Sequence, residues 1–255
     1  MKLGRKPRRF NPRIPHLSAF LGAVDLPPPP ASADWTAGLP DSLGVMNNDS
    51  LGCCTCAAFY HAIQVWSWNV GHAIDTESDA NVLALYEAAC GYVPGNPATD
   101  QGGDEQSVLS YILNTGAPTA AGPHHLLAFV EVDPRNLDDV KRSIADAGIC
   151  YIGFNVPNFL MSGLMTPGAT WDVNPTADNR IEGGHAVVLA GYDASGVRVV
   201  SWGNFYTMTW AFFGQFVDEC YALCDPAWFD AAGTTLGGLT VDELEQLMQG
   251  IREQQ

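Results

Sequence analysis

The run from Cys54 to about Val70 carries apolar residues on nearly every side of a helical wheel. A helix that is apolar all round is buried on all sides, so this run predicts a central helix inside a larger fold. Gly71 follows the run and is typical of a helix end. The first turn of this helix carries a thiol, that of Cys54, with one cysteine immediately before it and another two residues after it.

The remaining sequence divides into a helix-rich first half and a strand-rich second half. Hydrophobic periodicity predicts further helices over 79–89, 106–114, 137–147 and 240–254. Strands are predicted over 125–132, 150–156, 185–192, 197–202 and 208–213. Cys220 and Cys224 are four residues apart and favour a buried helix face. This order of elements predicts an α+β fold with two lobes.

The domain boundaries follow from changes in composition along the chain. Residues 1–30 are basic and proline-rich and predict an extended arm. Residues 31–230 form the predicted domain, with a helical lobe over about 31–120 and a β-rich lobe over about 121–230. Residues 231–255 contain the predicted C-terminal helix, whose apolar residues form one stripe suited to packing on the body or to a subunit contact.

Charge is strongly segregated along the chain. The formal net charge is −16, yet six of the twelve Lys and Arg residues precede the first acidic residue, Asp25. An acidic body argues against nucleic-acid binding except through the basic arm. The arm is either a solvated tail or a tether that docks on an acidic surface of this body, of a partner or of packaged nucleic acid.

The seven cysteines bear on the cellular compartment. Their number is odd and three of them crowd one site, which is unlike an extracellular disulfide framework. No apolar run approaches the ~20 residues of a membrane span, so we expect no membrane partner. Prolines and Asp25 interrupt the one stretch that resembles a secretory signal. We therefore expect a cytoplasmic or virion-associated protein rather than a secreted one.

The thiol of Cys54 has a distant counterpart in His185, which opens a predicted strand. The N–H groups of a helix N-terminus and a nearby imidazolium both favour a thiolate, and the imidazole can then act as general base and acid. Asn48, six residues before Cys54, can donate an amide N–H to a developing oxyanion. Taken singly, the cysteine and the histidine are better explained by core packing, but together they predict a Cys/His hydrolytic site.

The order and spacing of these residues resemble the papain-like cysteine peptidases over most of residues 30–215. The motifs that carry the resemblance are Ala33-Asp34-Trp35, Asn48 with Cys54, Gly102-Gly103, Gly184-His185-Ala186-Val187 and Val200-Ser201-Trp202-Gly203. Gly52-Cys53-Cys54 after Asn48-Asp49 is similar to the variant found in bacterial and phage-borne members. The resemblance implies a two-lobed fold with a β-barrel-like second lobe, and substrate binding at Gly102, Gly103 and Trp202.

The chain departs from the family pattern at the last motif, which is a degenerate Asn-Ser-Trp-Gly. The family's histidine-orienting Asn aligns with Val200, which cannot hydrogen-bond an imidazole. Ser201 lies on the opposite face of a regular strand from residue 200 and replaces the Asn only if a bulge intervenes. Asn204 is the other candidate for a third partner.

The cysteines admit two alternative uses. In another alignment of the motif, Cys56 is the nucleophile and Ser50 takes the place of Asn48. Serine has no side-chain amide to donate to an oxyanion, so the alignment with Cys54 is favoured. A zinc site built from Cys54, Cys56, Cys220 and Cys224 lacks paired C-x₂-C spacing. The sequence therefore predicts no metal and no cofactor.

Two classes of function remain open. The first is a thiol hydrolase that cleaves a peptide or isopeptide bond in a polypeptide or a peptidoglycan peptide. The second is a non-catalytic or weakly active structural protein, such as a bacteriophage virion component, with assembly contacts through residues 1–30 and 240–255.

Overall fold

The structure is a computed structural model that describes residues 1–21, 27–163 and 165–232, together with residue 242. The helix predicted over 240–254 lies outside these residues, apart from residue 242. Within the described part, no helix combines the length and the apolar character that a membrane span requires.

The helices match the predicted periodicity closely in the first half. They are α1 (Leu17–Leu21), α2 (Cys54–Gly71), α3 (Asp79–Cys90), α4 (Glu105–Asn114), α5 (Leu137–Ala147), α6 (Asn158–Gly163), α7 (Trp210–Phe216) and α8 (Pro226–Ala232). Side-chain caps from Ser78 and Asp104 begin α3 and α4. Left-handed residues His72 and Gly91 end α2 and α3, as expected at helix C-termini.

The strands belong to one sheet. They are β1 (Ala33–Asp34), β2 (Ala128–Glu131), β3 (Cys150–Pro157), β4 (Thr170–Trp171), β5 (Ile181–Tyr192), β6 (Gly196–Ser201), β7 (Asn204–Thr209) and β8 (Val217–Cys224). Their order is β2-β8-β3-β5-β6-β7-β4, and β1 adds to β5. Every pair is antiparallel except β4 with β7.

The α+β, two-lobed prediction is confirmed, but the barrel-like second lobe is not a closed barrel. In the described part of the chain, the sheet is open, because its end strands β2 and β4 do not pair with each other. Helix α2 is buried from Cys54 to Trp66 and packs against β5, so the central helix of the first lobe meets the sheet of the second. This contact brings the start of α2 beside His185 on β5.

Two predicted elements were wrong. Residues 208–213 were predicted as a strand, but β7 ends at Thr209 and α7 begins at Trp210, because the Thr209 hydroxyl accepts a hydrogen bond from the N–H of Phe212 and caps the helix. Cys220 and Cys224 lie on strand β8 rather than on a helix face. Because β8 is buried on both faces, its apolar pattern could not distinguish the two structures.

Candidate active site

Cys54 is the first residue of α2, and its side chain is buried. The backbone N–H of Ala186, next to His185 on β5, lies within hydrogen-bonding reach of its sulfur. The backbone N–H of Gly4 also reaches it. The thiol therefore lies at the junction of α2 and β5, beside the residue that follows His185.

The imidazole of His185 is held in a defined orientation. Its Nε2 lies 2.8 Å from Oγ of Ser201. The indole ring of Trp202 stacks on it, with ring centroids 4.0 Å apart and an angle of 12° between the planes. Its Nδ1 is buried and has no hydrogen-bond partner among the described residues. If Nε2–H donates to Ser201, Nδ1 is left as a proton acceptor.

Strand register explains why Ser201 reaches His185. Val188 pairs with Val200, so residue 201 continues the ladder beside Val187. Alternate residues of a strand share a face, so residue 187 and His185 lie on the same face of the sheet. Ser201 lies opposite residue 187 and therefore lies on that face as well. Val200 instead belongs to the other face and is fully buried. The register of β6 therefore brings Ser201 into contact with His185, whereas the motif alignment assigns that contact to residue 200.

Asn48 is buried and directs its amide toward the N-terminal segment. Its Nδ2 donates to the carbonyl of Lys2 at 3.1 Å and to that of Leu51 at 3.0 Å. The Lys2 N–H in turn donates to the carbonyl of Asn48 at 3.0 Å. An amide that already donates to a peptide carbonyl is suited to the charge that a carbonyl oxygen develops during attack.

Residues 2–6, called the cleft segment below, lie across the site, with isolated β-bridges from Arg5 to Gly103 and to Gly184. The N–H groups of Gly4 and Arg5 donate to the carbonyl of Gly184 at 3.2 and 3.0 Å. On the other side, Gly103 donates to the carbonyl of Gly4 and accepts from the N–H of Lys6, both at 2.8 Å. The predicted glycine loop at 102–103 therefore pairs with the chain's own N-terminal backbone.

Close backbone crossings require glycine at two of these positions. A Cβ atom at Gly4 would overlap the carbonyl oxygen of Gly52. A Cβ atom at Gly102, whose φ is +74°, would overlap the carbonyl oxygen of Gly4. The cleft segment fits between the two loops because neither chain carries a side chain where they cross.

Basic residues 2–9 pair with acidic groups on both lobes. The pairs are Lys2 with Asp100, Arg5 with Asp218 and Glu219, Arg8 with Glu131, and Arg9 with Asp104. The side chain of Arg5 is only 1% exposed, whereas those of Lys2, Arg8 and Arg9 remain partly in solvent. The sequence left open whether the arm is a solvated tail or docks on an acidic surface. Residues 2–9 dock on acidic groups of this chain's own body.

The covered site holds a neutral thiol and a neutral imidazole. Burial raises the pKa of Cys54 to about 12, although the N–H groups of Ala186 and Gly4 oppose this rise. Burial lowers the pKa of His185 to about 3, and the positive charge of Arg5 lowers it further. Both shifts favour the neutral thiol and the neutral imidazole over a thiolate–imidazolium pair while the cleft segment covers the site.

The other predicted residues lie as follows. Nδ2 of Asn204 donates to the carbonyl of Trp202 within its own turn, at 2.9 Å. Cys56 is fully buried, with its thiol within hydrogen-bonding reach of Cys90. Ser50 is exposed and its hydroxyl donates to the carbonyl of Asn47. Among the described residues, no group of three or more His, Cys, Asp or Glu side chains is arranged to hold a metal ion.

Three buried or half-buried acidic residues near Arg5 were not anticipated. Glu105 begins α4, and Asp218 and Glu219 lie at the start of β8. The sequence signal for them was weak, because isolated acidic residues normally lie on the surface. Recognising them required the correct prediction of β8 as a strand beside β3.

Comparison with known proteins places this fold. No protein-family model and no curated protein matches the sequence. Among solved structures, xylellain, a cysteine protease from Xylella fastidiosa, matches with a TM-score of 0.68 and 17% identity, over 88% of this chain and 96% of that chain. Digestive procathepsin L 3 of Tenebrio molitor larval midgut matches with a TM-score of 0.55 and 17% identity, over 85% and 75%.

A third structure contains the cysteine protease and lectin-like domains of Cwp84, a surface layer associated protein of Clostridium difficile. It matches with a TM-score of 0.56 and 13% identity, over 79% of this chain and 53% of that chain. At these identities the comparisons concern the fold. The chain therefore has the papain-like two-lobed fold, shared with these cysteine proteases.

Proposed function

We propose that this protein is a thiol hydrolase that cleaves a peptide or isopeptide bond in a polypeptide or peptide substrate. Cys54 is the nucleophile, His185 the general base and acid, and Ser201 the residue that orients the imidazole. The side-chain amide of Asn48 and the backbone N–H of Cys54 are the oxyanion donors. The papain-like fold, shared with the cysteine proteases named above, supports this reaction class.

The observation that carries the proposal is the state of the His185 ring. Ser201 holds Nε2, Trp202 covers one face, and Nδ1 is left without a partner among the described residues. A ring fixed in this way, next to the helix N-terminus that bears Cys54, supports proton transfer through Nδ1. Nε2 of the core residue His61 is also buried without a partner among the described residues, so what distinguishes His185 is its position next to Ala186, whose backbone N–H lies near the Cys54 sulfur.

The reaction follows from these roles. Nδ1 takes the proton of the Cys54 thiol, and the sulfur attacks the carbonyl carbon of the scissile bond. The tetrahedral intermediate places its negative oxygen near the Asn48 amide. The C–N bond then breaks, and the imidazolium gives its proton to the leaving amine. Water, deprotonated by the same imidazole, hydrolyses the thioester and restores Cys54.

Activity also requires that the cleft segment leave. Its backbone occupies Gly103, Gly184 and Asn48, the groups on which a substrate backbone would bind. Departure exposes Cys54 and His185 to water and removes the charge of Arg5 from the imidazole. Both changes reverse the causes that keep the pair neutral in the covered site.

A virion or other structural role remains a prediction from the sequence. A structural role of this kind requires that the basic arm be available to a partner. Residues 2–9 instead form ion pairs with this chain's own body. That observation favours a covered hydrolase site over a tether. A cytoplasmic or virion-associated location is likewise retained as a prediction.

The test is the pH profile of iodoacetamide alkylation of Cys54 in the full chain, read by tandem mass spectrometry. Gly4→Ala opens the cleft, Cys54→Ser assigns the label among the neighbouring thiols, and His185→Ala removes the base. We expect Gly4→Ala to react well below pH ~8.5, and the added His185→Ala to abolish that reactivity. Alkylation that accelerates in Gly4→Ala but is indifferent to His185 would mean that the papain-like fold serves here as a scaffold.

A further inference from the structure

Arg5 fills a pocket between the two lobes, called the arginine pocket below. One terminal nitrogen, Nη1, lies 3.0 Å from Oε2 of Glu219. The other, Nη2, lies 2.8 Å from Oδ1 of Asp218 and donates to Oδ1 of Asn155 at 3.3 Å. A planar guanidinium reaches these separate acceptors at once, whereas a single ammonium group cannot.

The strands around the pocket make room for a long cationic side chain. Gly153 on β3 pairs with Glu219 on β8, but the next pair is Phe154 with Val217, so Asp218 is an extra residue in a bulge. A bulge redirects side chains, and here neighbouring residues of β8 both reach the guanidinium. A Cβ atom at Gly153 would lie 2.5 Å from Cδ of Arg5. Glycine at this position is therefore what leaves space for the arginine.

Three carboxyl groups, those of Glu105, Asp218 and Glu219, surround the single guanidinium of Arg5. Glu105 is 1% exposed, and neither of its carboxylate oxygens has a hydrogen-bond partner among the described residues. Burial raises the pKa of Glu105 well above its ordinary value, and the charge of Glu219 raises it further while that of Arg5 lowers it. The raised pKa favours the protonated, neutral form of Glu105, so the carboxyl groups that pair with a basic occupant are those of Asp218 and Glu219.

The backbone fixes where an occupant must come from. Arg5 lies between Gly184 on one side and Gly103 on the other, one residue from Gly4, whose N–H reaches the Cys54 sulfur. An extended peptide bound on the same two glycines brings one of its side chains to this pocket. The cleft segment thus occupies a position that a peptide substrate would need.

We propose that the arginine pocket selects substrates with arginine at the position that Arg5 now occupies, with Glu219 and Asp218 as the specificity-determining residues. This inference rests on the proposed hydrolase function, because it assigns the substrate class to the same cleft. Arg5 is then a built-in competitor, and a substrate enters when the cleft segment leaves.

The first test reads the pocket within the full chain. Arg5→Met should increase the rate of Cys54 alkylation at least about 10-fold, since a buried charge-paired anchor is lost. Arg13→Met, the same substitution at an exposed arginine outside the cleft segment, should leave the rate within about 2-fold of wild type. Equal rates for the two variants would overturn the assignment of the pocket as the anchor.

The second test measures peptide selectivity by protection. The full-length Gly4→Ala variant is alkylated in the presence of acetyl-Leu-Gly-Arg-Lys-amide or of analogues with Lys or Met in place of Arg. We expect the Arg peptide to protect Cys54 at a concentration at least about 10-fold lower than the Met peptide, with the Lys peptide between them. Glu219→Gln and Asp218→Asn should each reduce this preference.

Asp138→Asn is the matched control, because it removes the same charge from an exposed residue far from the cleft. If circular dichroism shows that Glu219→Gln does not fold, the result for Asp218→Asn is used to test the pocket. The side chain of Asp218 is 36% exposed, so its substitution disturbs the core less. Equal protection by the Arg and Met peptides, or a preference that neither substitution changes, would overturn the proposal.

Cleavage of a mixed peptide library by the Gly4→Ala variant separates this inference from the proposed function. Cleavage with no preference for arginine would overturn the pocket's role and leave the hydrolase proposal standing. Arginine-dependent protection without any cleavage would support the pocket and count against the hydrolase. Both arms use the same full-length variant.

Discussion

Ser201 Oγ lies 2.8 Å from Nε2 of His185, although the motif alignment gives the orienting position to residue 200. The contact exists because Val188 pairs with Val200, which brings the next residue of β6 onto the face that carries His185. A hydroxyl can accept from Nε2–H as an amide oxygen would. Of the two third-partner candidates drawn from the sequence, Ser201 and Asn204, it is Ser201 that contacts the imidazole.

Removing this hydroxyl should impair the imidazole without unfolding the protein. In the Gly4→Ala background we expect Ser201→Ala to lower the Cys54 alkylation rate about 10-fold at neutral pH, because the tautomer and ring orientation are no longer fixed. Ser201→Asn should restore part of the rate. Ser195→Ala, which removes an exposed hydroxyl in a turn, is the control, and an equal loss in that variant would contradict the orienting role.

The glycine at position 4 should keep the cleft covered. Gly4→Ala places a methyl group on the carbonyl oxygen of Gly52, so we expect the cleft segment to leave and Cys54 alkylation to accelerate at least about 10-fold. Gly71→Ala is the matched control, since a Cβ atom there meets nothing within 4 Å. Unchanged alkylation in Gly4→Ala would show that the segment does not limit access to the thiol.

Asn48 should matter for turnover but not for thiol reactivity. With fluorescently labelled casein as substrate and the Gly4→Ala background, we expect Asn48→Ala to lower the cleavage rate ~10²–10³-fold through the lost oxyanion donor. The alkylation rate of Cys54 should remain within about 2-fold, because alkylation develops no oxyanion. Parallel losses in both assays would indicate a structural role for the side chain instead.

Salt should open the covered site. The pairs Lys2–Asp100, Arg8–Glu131 and Arg9–Asp104 are partly exposed and should be screened as the Debye length falls from about 30 Å at 0.01 M to about 8 Å at 0.15 M salt. We expect Cys54 alkylation in the wild-type chain to increase with sodium chloride. The rate in Gly4→Ala should be nearly independent of salt, and a similar slope in both proteins would argue against electrostatic closure.

Two buried histidines should make stability depend on pH in one direction. Burial lowers the pKa of His61 to about 4 and that of His185 to about 3, while both titrate near 6.5 when unfolded. Between these values the unfolded chain binds protons that the folded chain does not. The contribution of these two histidines to stability is therefore complete above about pH 6.5 and is lost as pH decreases toward 4.

The measurement is urea unfolding at pH 7.0, 5.5 and 4.5. The share of His61 in the loss of unfolding free energy from pH 7.0 to 4.5 should be on the order of 2 kcal/mol. His61→Leu should reduce the loss of unfolding free energy between pH 7.0 and 4.5 by that amount, whatever its effect on stability at pH 7. An unchanged slope would mean that His61 is protonated in the folded chain at pH 4.5.

The first-half helices were predictable from the sequence because their signals are local. The all-round apolar run after Cys54 could only be a buried helix, and Gly71 and Gly91 mark the ends of α2 and α3. Strands β3, β5 and β6 were placed within a few residues. The predictions at 208–213 and at Cys220 with Cys224 were wrong because short, doubly buried apolar runs fit a helix or a strand equally well.

The sequence by itself determined which chemical groups are available: a thiol on the first turn of a buried helix, a remote imidazole at the start of a strand, and an amide six residues before the thiol. These depend on residue type and local periodicity. The tertiary structure decided what each group touches. Strand register placed Ser201 in contact with His185, and a bulge directed Asp218 and Glu219 toward Arg5. Backbone pairing with Gly103 and Gly184 placed the N-terminal arm across the thiol. Such contacts join residues as far as 214 positions apart, so they depend on register and packing that no local pattern encodes.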